Sequence, residues 1–235
     1  MKKFWNWARD ADEGSRVLFL DGVISEDTWW GDEVTPKLFR DDLTAGSGPV
    51  TVWINSPGGD CVAASQIYAM LVDYPGEVIV KIDGMAASAA SVIAMAGSKT
   101  LMSPAAMMMI HNPLTLAIGD TEEMRKAIAI LDEFKESIIN AYEAKTKLGR
   151  TKLSNLMDAE TWMNANKAIE LGFADGVIED AKRAAPTETY AFSRRAVTNS
   201  LLDKVKPKAA EGAKGASIKS LDERLKLLSG GMKIG

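Results

Sequence analysis

The chain has 235 residues, 46% hydrophobic and 26% charged, with a formal net charge of −4, one histidine and one cysteine. This balance predicts a soluble globular domain with appendages, excludes an intrachain disulfide, and excludes a metal centre built from clusters of His and Cys. No apolar run reaches the length of a membrane span, and the charged opening Met1-Lys2-Lys3 to Arg9-Asp10 lacks the apolar core of a signal peptide, so a cytoplasmic protein without membrane contact is expected.

In chain order, Arg16–Leu20, Val50–Ile54 and Val78–Ile82 are short apolar runs that end at polar or Gly-rich turns, the pattern of buried strands. Between them, Asp60–Tyr74 carries apolar residues at helical intervals and stops before Pro75-Gly76, while Ala87–Ala96 reads as a small-residue helix ending at Gly97. The alternation predicts strand–helix units. Thr121–Leu148 opens with the capping-box-like Thr121-Glu122-Glu123 and sets Met124, Ile128, Leu131, Ile138 and Tyr142 on one face. A long amphipathic helix follows, either packed on its own domain or projecting as an interface.

Charge then changes sign. Residues 181–235 carry 12 Lys+Arg against 5 Asp+Glu, a net of +7, which leaves −11 for residues 1–180. The Lys-, Ala-, Gly- and Pro-rich stretch 204–215 reads as a linker, and Ser220–Leu228 spaces its leucines for a short terminal helix. The expected organisation is an N-terminal segment, 1–15, a globular domain, 16–180, and a basic tail, 181–235.

Three phrases carry chemistry. Imidazole alone titrates near neutrality without perturbation, so a histidine general base in this chain can only be His111, in Met107-Met108-Met109-Ile110-His111-Asn112-Pro113. A hydrogen-bonded core histidine is the plainer alternative. The first strand-end phrase, Asn55-Ser56-Pro57-Gly58-Gly59-Asp60, has glycines that let backbone N–H groups approach a chain or an anion, although Gly-Gly also makes an ordinary strand-to-helix turn. The second, Asp83-Gly84-Met85-Ala86-Ala87-Ser88, places Ser88 at the first turn of the next helix. Unpaired N–H groups and the positive end of the helix dipole would there face a developing oxyanion; a mere N-cap is the alternative.

Ile54-Asn55-Ser56-Pro57-Gly58-Gly59, Gly84-Met85-Ala86-Ala87-Ser88 and Met109-Ile110-His111-Asn112-Pro113, in this order, resemble the proteolytic subunit of the Clp protease family. The likeness continues through Trp162-Met163-Asn164-Ala165 and Ala168 to Asp175 and covers roughly residues 15–180. It implies an α/β, ClpP/crotonase-like fold, a spiral of ββα units with a projecting long helix. Ser88 would be the nucleophile, His111 the general base, the amides of Gly59 and Ala89 the oxyanion hole, and Gly58 and Gly59 the strand along which extended peptide binds. Where the family usually has an aspartate two residues before the aromatic matching Trp162, this chain has Glu160, with Asp158 as its rival.

The resemblance further implies a serine endopeptidase that needs no metal or organic cofactor, acts on protein or peptide substrates and assembles as a homo-oligomeric ring. Its partners would be an unfoldase ATPase or, as in phage and prophage members with extensions that mature heads, scaffold and capsid proteins. The Trp-rich amino terminus and the basic tail depart from the family pattern. Four alternatives compete: a Ser-Lys pair using Lys81 or Lys99, a Cys61–His111 pair, a crotonase-type acyl-CoA enzyme, and an idle ClpP-like scaffold or interaction protein.

Overall fold

The computed structural model describes residues 4–9, 16–24 and 36–179. β1 (Trp5–Arg9) runs antiparallel to β2 (Arg16–Asp21), pairing Trp5 with Leu20 and Arg9 with Arg16, so the sheet begins within the N-terminal segment. α1 (Pro36–Thr44) precedes β3 (Val50–Ser56), and α2 (Cys61–Val72) links β3 to β4 (Val78–Ala87). α3 (Ala89–Ala94) leads into β5 (Lys99–Met102) and β6 (Met107–Ile110). The long α4 (Thr121–Thr146) and the short α5 (Arg150–Asp158) precede β7 (Thr161–Asn164), α6 (Ala165–Glu170) and β8 (Gly176–Val177). The sheet order is β1-β2-β3-β4-β5-β8, parallel from β2 onward, with β6 beside β4 and β7 antiparallel to β6. The tail and its expected helix at Ser220–Leu228 lie outside the described residues.

The apolar runs of the strands reflect burial on both faces of a mostly parallel sheet. Leu18, Leu20, Val52, Ile54, Val80 and Ile82 belong to the main core with Ile67 and Leu71 of α2 and Ile93 of α3. The intervening Val17, Phe19 and Trp53 form a second cluster with Ile178. Asp60 starts α2 by accepting a 2.7 Å hydrogen bond from the Ala63 N–H, as an N-cap carboxylate does.

Two elements differ from expectation in ways that shape the site. The strand expected to end at Ile82 continues to Ala87: its Ile79–Ile82 portion pairs with β5, and its Met85–Ala87 portion pairs with β6. Ile54 pairs with Ile82 but Ser56 with Ala86, so β4 spends four residues where β3 spends two. The glycine that reads as a terminator is part of this bulge, where a Cβ on Gly84 would lie 2.4 Å from Asn55 Oδ1. The helix expected over Ala87–Ala96 therefore begins at Ala89 and has six residues, too few for a strong dipole.

α4 is capped by Asp120, one residue before the expected start, whose carboxylate accepts from the N–H groups of Glu122 (2.9 Å) and Glu123 (3.1 Å). Lys147, in a left-handed conformation, ends it. Its C-terminal half buries Ile138, Ile139, Ala141 and Tyr142, whereas in its N-terminal half Ile128 is 60% exposed and Ile130 is also exposed. The helix is thus packed on its own domain at one end and leaves apolar side chains exposed at the other. Lys145 anchors the packed end through Asp175 (2.7 Å), which also accepts from the Thr100 N–H (2.6 Å). Among the described residues, no helix is long and apolar enough to cross a membrane.

Candidate active site

Three strand ends converge. Ser88 follows β4 directly and has φ 55° and ψ −127°, a backbone conformation that a residue with a Cβ adopts only under constraint. Its N–H donates to the Met109 carbonyl of β6 (2.9 Å), extending the β4–β6 pairing by one bond. The same pairing carries His111, one residue beyond β6, to Ser88: Oγ lies 2.7 Å from Nε2. The residues read from sequence as nucleophile and base are thus in direct contact. Burial holds the imidazole pKa below its ordinary value, and the charge of Glu160 partly opposes that shift.

The Gly58-Gly59 turn is pressed against the same point. Gly58 has φ 97°, and a Cβ there would fall 2.7 Å from Ser88 Cβ and 3.0 Å from Ala89 N. Only glycine fits so close to the elbow. Gly59 forms a bridge with Ile24: the Ile24 N–H donates to the Gly58 carbonyl (2.9 Å) and the Asp60 N–H to the Ile24 carbonyl (2.8 Å). These bonds occupy one edge of the segment, and alternation along extended backbone turns the Gly59 N–H to the other. Ala89 is the first residue of α3, so its N–H has no carbonyl one turn earlier in its own helix.

Glu160 precedes β7 and is itself at positive φ, 46°. β7 is brought to β6 by antiparallel pairing that sets Trp162 opposite Met109 and Thr161 opposite Ile110. The Trp162 indole N–H donates to Glu160 Oε1 (3.1 Å), a restraint that no sequence pattern announced. The rival, Asp158, is engaged elsewhere. Lys135 Nζ of α4 donates to its Oδ1 at 2.6 Å and Asn112 Nδ2 at 2.8 Å, and Lys135 first, then Asn112, holds its carboxyl below the usual range.

The competing nucleophiles and bases are placed less favourably. Burial, reinforced by the charge of Asp60, pushes the Cys61 thiol up to about 11, so it stays protonated near neutrality, the reverse of an activated cysteine. Lys81 lies over the Trp53 ring at 5.2 Å, and Trp53 belongs to the cluster on the sheet face opposite the main core. Lys99 starts β5 opposite Ile79, at the far end of β4 from Ser88. Two buried hydroxyl groups near the elbow, Ser91 and Tyr142, have polar roles that sequence reading missed. Tyr142 is legible only as a member of the apolar face of α4.

Known proteins can be set beside this geometry. The Clp protease family profile matches residues 12–181. The chain belongs to the Clp protease family. The ATP-dependent Clp protease proteolytic subunit 1 of Chlamydia muridarum is 31% identical over 169 residues, covering 70% of this chain and 86% of that protein. Proteolytic subunit 2 of Treponema denticola is 26% identical over 184 residues, 77% of this chain and 87% of its own length. The chloroplastic proteolytic subunit 3 of Arabidopsis thaliana is 29% identical over 169 residues, 71% of this chain and 54% of its own. The mixed sheet with its flanking helices is accordingly a ClpP/crotonase-like fold, as the Clp-like phrases implied.

Proposed function

We propose that this Clp-family chain is a serine endopeptidase with Ser88 as nucleophile, His111 as general base and Glu160 as the orienting acid. The observation that carries this reading is the 2.7 Å contact of Ser88 Oγ with His111 Nε2 at a strained strand-to-helix elbow. Such an elbow exposes a hydroxyl that an ordinary N-cap would turn inward, and Ser88 makes no side-chain capping bond. His111 Nε2 takes the hydroxyl proton as Oγ attacks a peptide carbonyl. The Gly59 and Ala89 amides receive the oxyanion, the imidazolium returns the proton to the leaving amine, and water then hydrolyses the acyl-enzyme. Glu160 stabilises the imidazolium, in keeping with the upward pull of its charge on His111.

Substrate backbone lies along the Gly58–Gly59 segment as an added strand, and no cofactor takes part in these steps. The protein acts as a cytoplasmic homo-oligomeric ring, with residues 16–180 as the peptidase domain and the +7 tail as an appendage that reaches acidic partners. That appendage favours a processing protease acting on assembly proteins of the scaffold or capsid kind over one that receives substrate only from an unfoldase ATPase.

A fluorophosphonate probe is expected to label wild-type protein and leave Ser88→Ala unlabelled, with peptide cleavage lost in parallel and the fold retained. Undiminished cleavage by Ser88→Ala would sink the assignment; an unlabelled wild-type serine would favour the scaffold reading. Truncation after Asp180 should preserve cleavage of short peptides and weaken binding to an acidic protein partner in a salt-dependent way, as pull-down at two ionic strengths would read.

A further inference from the structure

The carbonyl of Ser88 is held by one neighbour twice. Ser91 donates to it from its backbone N–H (2.9 Å) and from its hydroxyl (2.6 Å). Ser91 Oγ also lies 2.8 Å from the Tyr142 hydroxyl. A serine hydroxyl has one proton, and Ser91 commits it to a carbonyl that can only accept, so Tyr142 must be the donor in the second bond. The chain of bonds runs Tyr142 O–H to Ser91 O–H to Ser88 C=O. Both side chains are buried, Tyr142 is packed edge-on against Phe173 with ring centroids 5.4 Å apart, and burial raises the phenol pKa so that it keeps its proton.

The Ser88 carbonyl and the Ala89 N–H belong to the same peptide plane. In a trans peptide they point in opposite directions, so a bond that fixes the carbonyl also aims the N–H. That N–H borders the Gly58-Gly59 turn. Hydrogen bonds to the carbonyl also polarise the amide, and a chain of such bonds does so cooperatively. Resting on the peptidase reading above, we infer that Tyr142 and Ser91 are positioning residues that orient and polarise the Ala89 amide as an oxyanion donor. Tyr142 reaches the hole only through Ser91, and it does so from the helix whose other end projects from the domain.

The test uses the full-length protein with Tyr142→Phe, Ser91→Ala and the double variant, a fluorogenic peptide as substrate, and a peptide boronate whose tetrahedral adduct places an oxygen in the hole. Deleting an oxyanion donor outright costs on the order of 10²–10³ in kcat, and loosening one should cost less. Ser91→Ala is expected to lower kcat on the order of 10-fold and Tyr142→Phe about 3-fold, with KM within about twofold and boronate affinity falling in step with kcat. The double variant should match Ser91→Ala, because Tyr142 has no separate route. Losses that multiply in the double variant, or a lowered Tm with kcat and boronate affinity unchanged, would overturn the inference. Hydrogen exchange over residues 86–95 reads the network without turnover: faster exchange at Ser91, whose N–H donates to the Ser88 carbonyl, in both single variants supports it, and unchanged exchange overturns it. Cleavage that survives Ser88→Ala would refute the peptidase reading instead, leaving the exchange result to decide whether the network holds the peptide.

Discussion

His111 and Glu160 make opposing claims on one proton. Desolvation disfavours imidazolium and the Glu160 charge favours it, with desolvation prevailing. As the proposed base, His111 must be neutral to accept the Ser88 proton, so a lowered pKa would keep it competent into mildly acidic solution. The acid limb of kcat/KM should therefore fall below pH ~6.5, the unperturbed imidazole value. Glu160→Gln removes the group that raises the pKa, so the limb should move to still lower pH. Turnover should meanwhile drop on the order of 10³–10⁴, as for other triad acids, because imidazolium loses its stabilising charge. Asp158→Asn should change turnover little, since that carboxylate serves Lys135 and Asn112. A pH–rate profile of the two variants separates them; a large loss at Asp158 with a small one at Glu160 would exchange their roles.

At the scale of elements, the decisive feature is β4, which changes partner from β5 to β6 midway and delivers Ser88 beside His111. Gly84 permits the bulge at that change. Gly84→Ala brings a methyl group to 2.4 Å from Asn55 Oδ1, so the amide must move or the bulge must open. The expected cost is about 1–3 kcal/mol, measured as a lowered denaturant midpoint, with loss of activity as Ser88 shifts. The longer strands were legible as apolar runs and α2 by its helical spacing, because several apolar residues together outvote any local exception. β5, β6 and β7 have four residues each, too short for a period to emerge, and they are strands because β4 and β6 offer free edges to them. The Asp83-Gly84 pair was misleading for the opposite reason: its local preference is a turn, and pairing on both sides overrides it. The meeting of Ser88 and His111 was readable from the phrases around them. The Trp162 tie to Glu160 joins near neighbours but depends on how the indole turns at the start of β7, and the Tyr142–Ser91 chain joins residues far apart in sequence; no local pattern records either.

On the scale of the whole molecule, five exposed large apolar side chains fall within residues 114–130. Leu114, Leu116 and Ile118, the last 83% exposed, precede α4, and Ile128 and Ile130 are exposed in its N-terminal half. Exposed apolar side chains concentrated in one segment are a basis for a protein contact, and a second copy of the chain is the partner proposed here. Ile128→Glu together with Ile130→Glu should reduce a ring to smaller species by light scattering and lower activity with it, while the domain keeps its fold. An unchanged mass would show that the assembly uses another face. α4 itself spans 26 residues, about 39 Å, and its buried side chains all lie in the half around Ile138 and Tyr142. In the proposed assembly the apolar side chains of the other half would leave water only when copies meet, so that part of its stability would depend on concentration. In that assembly one unbroken helix would obey two laws, intramolecular cohesion at Tyr142 and mass action at Ile128.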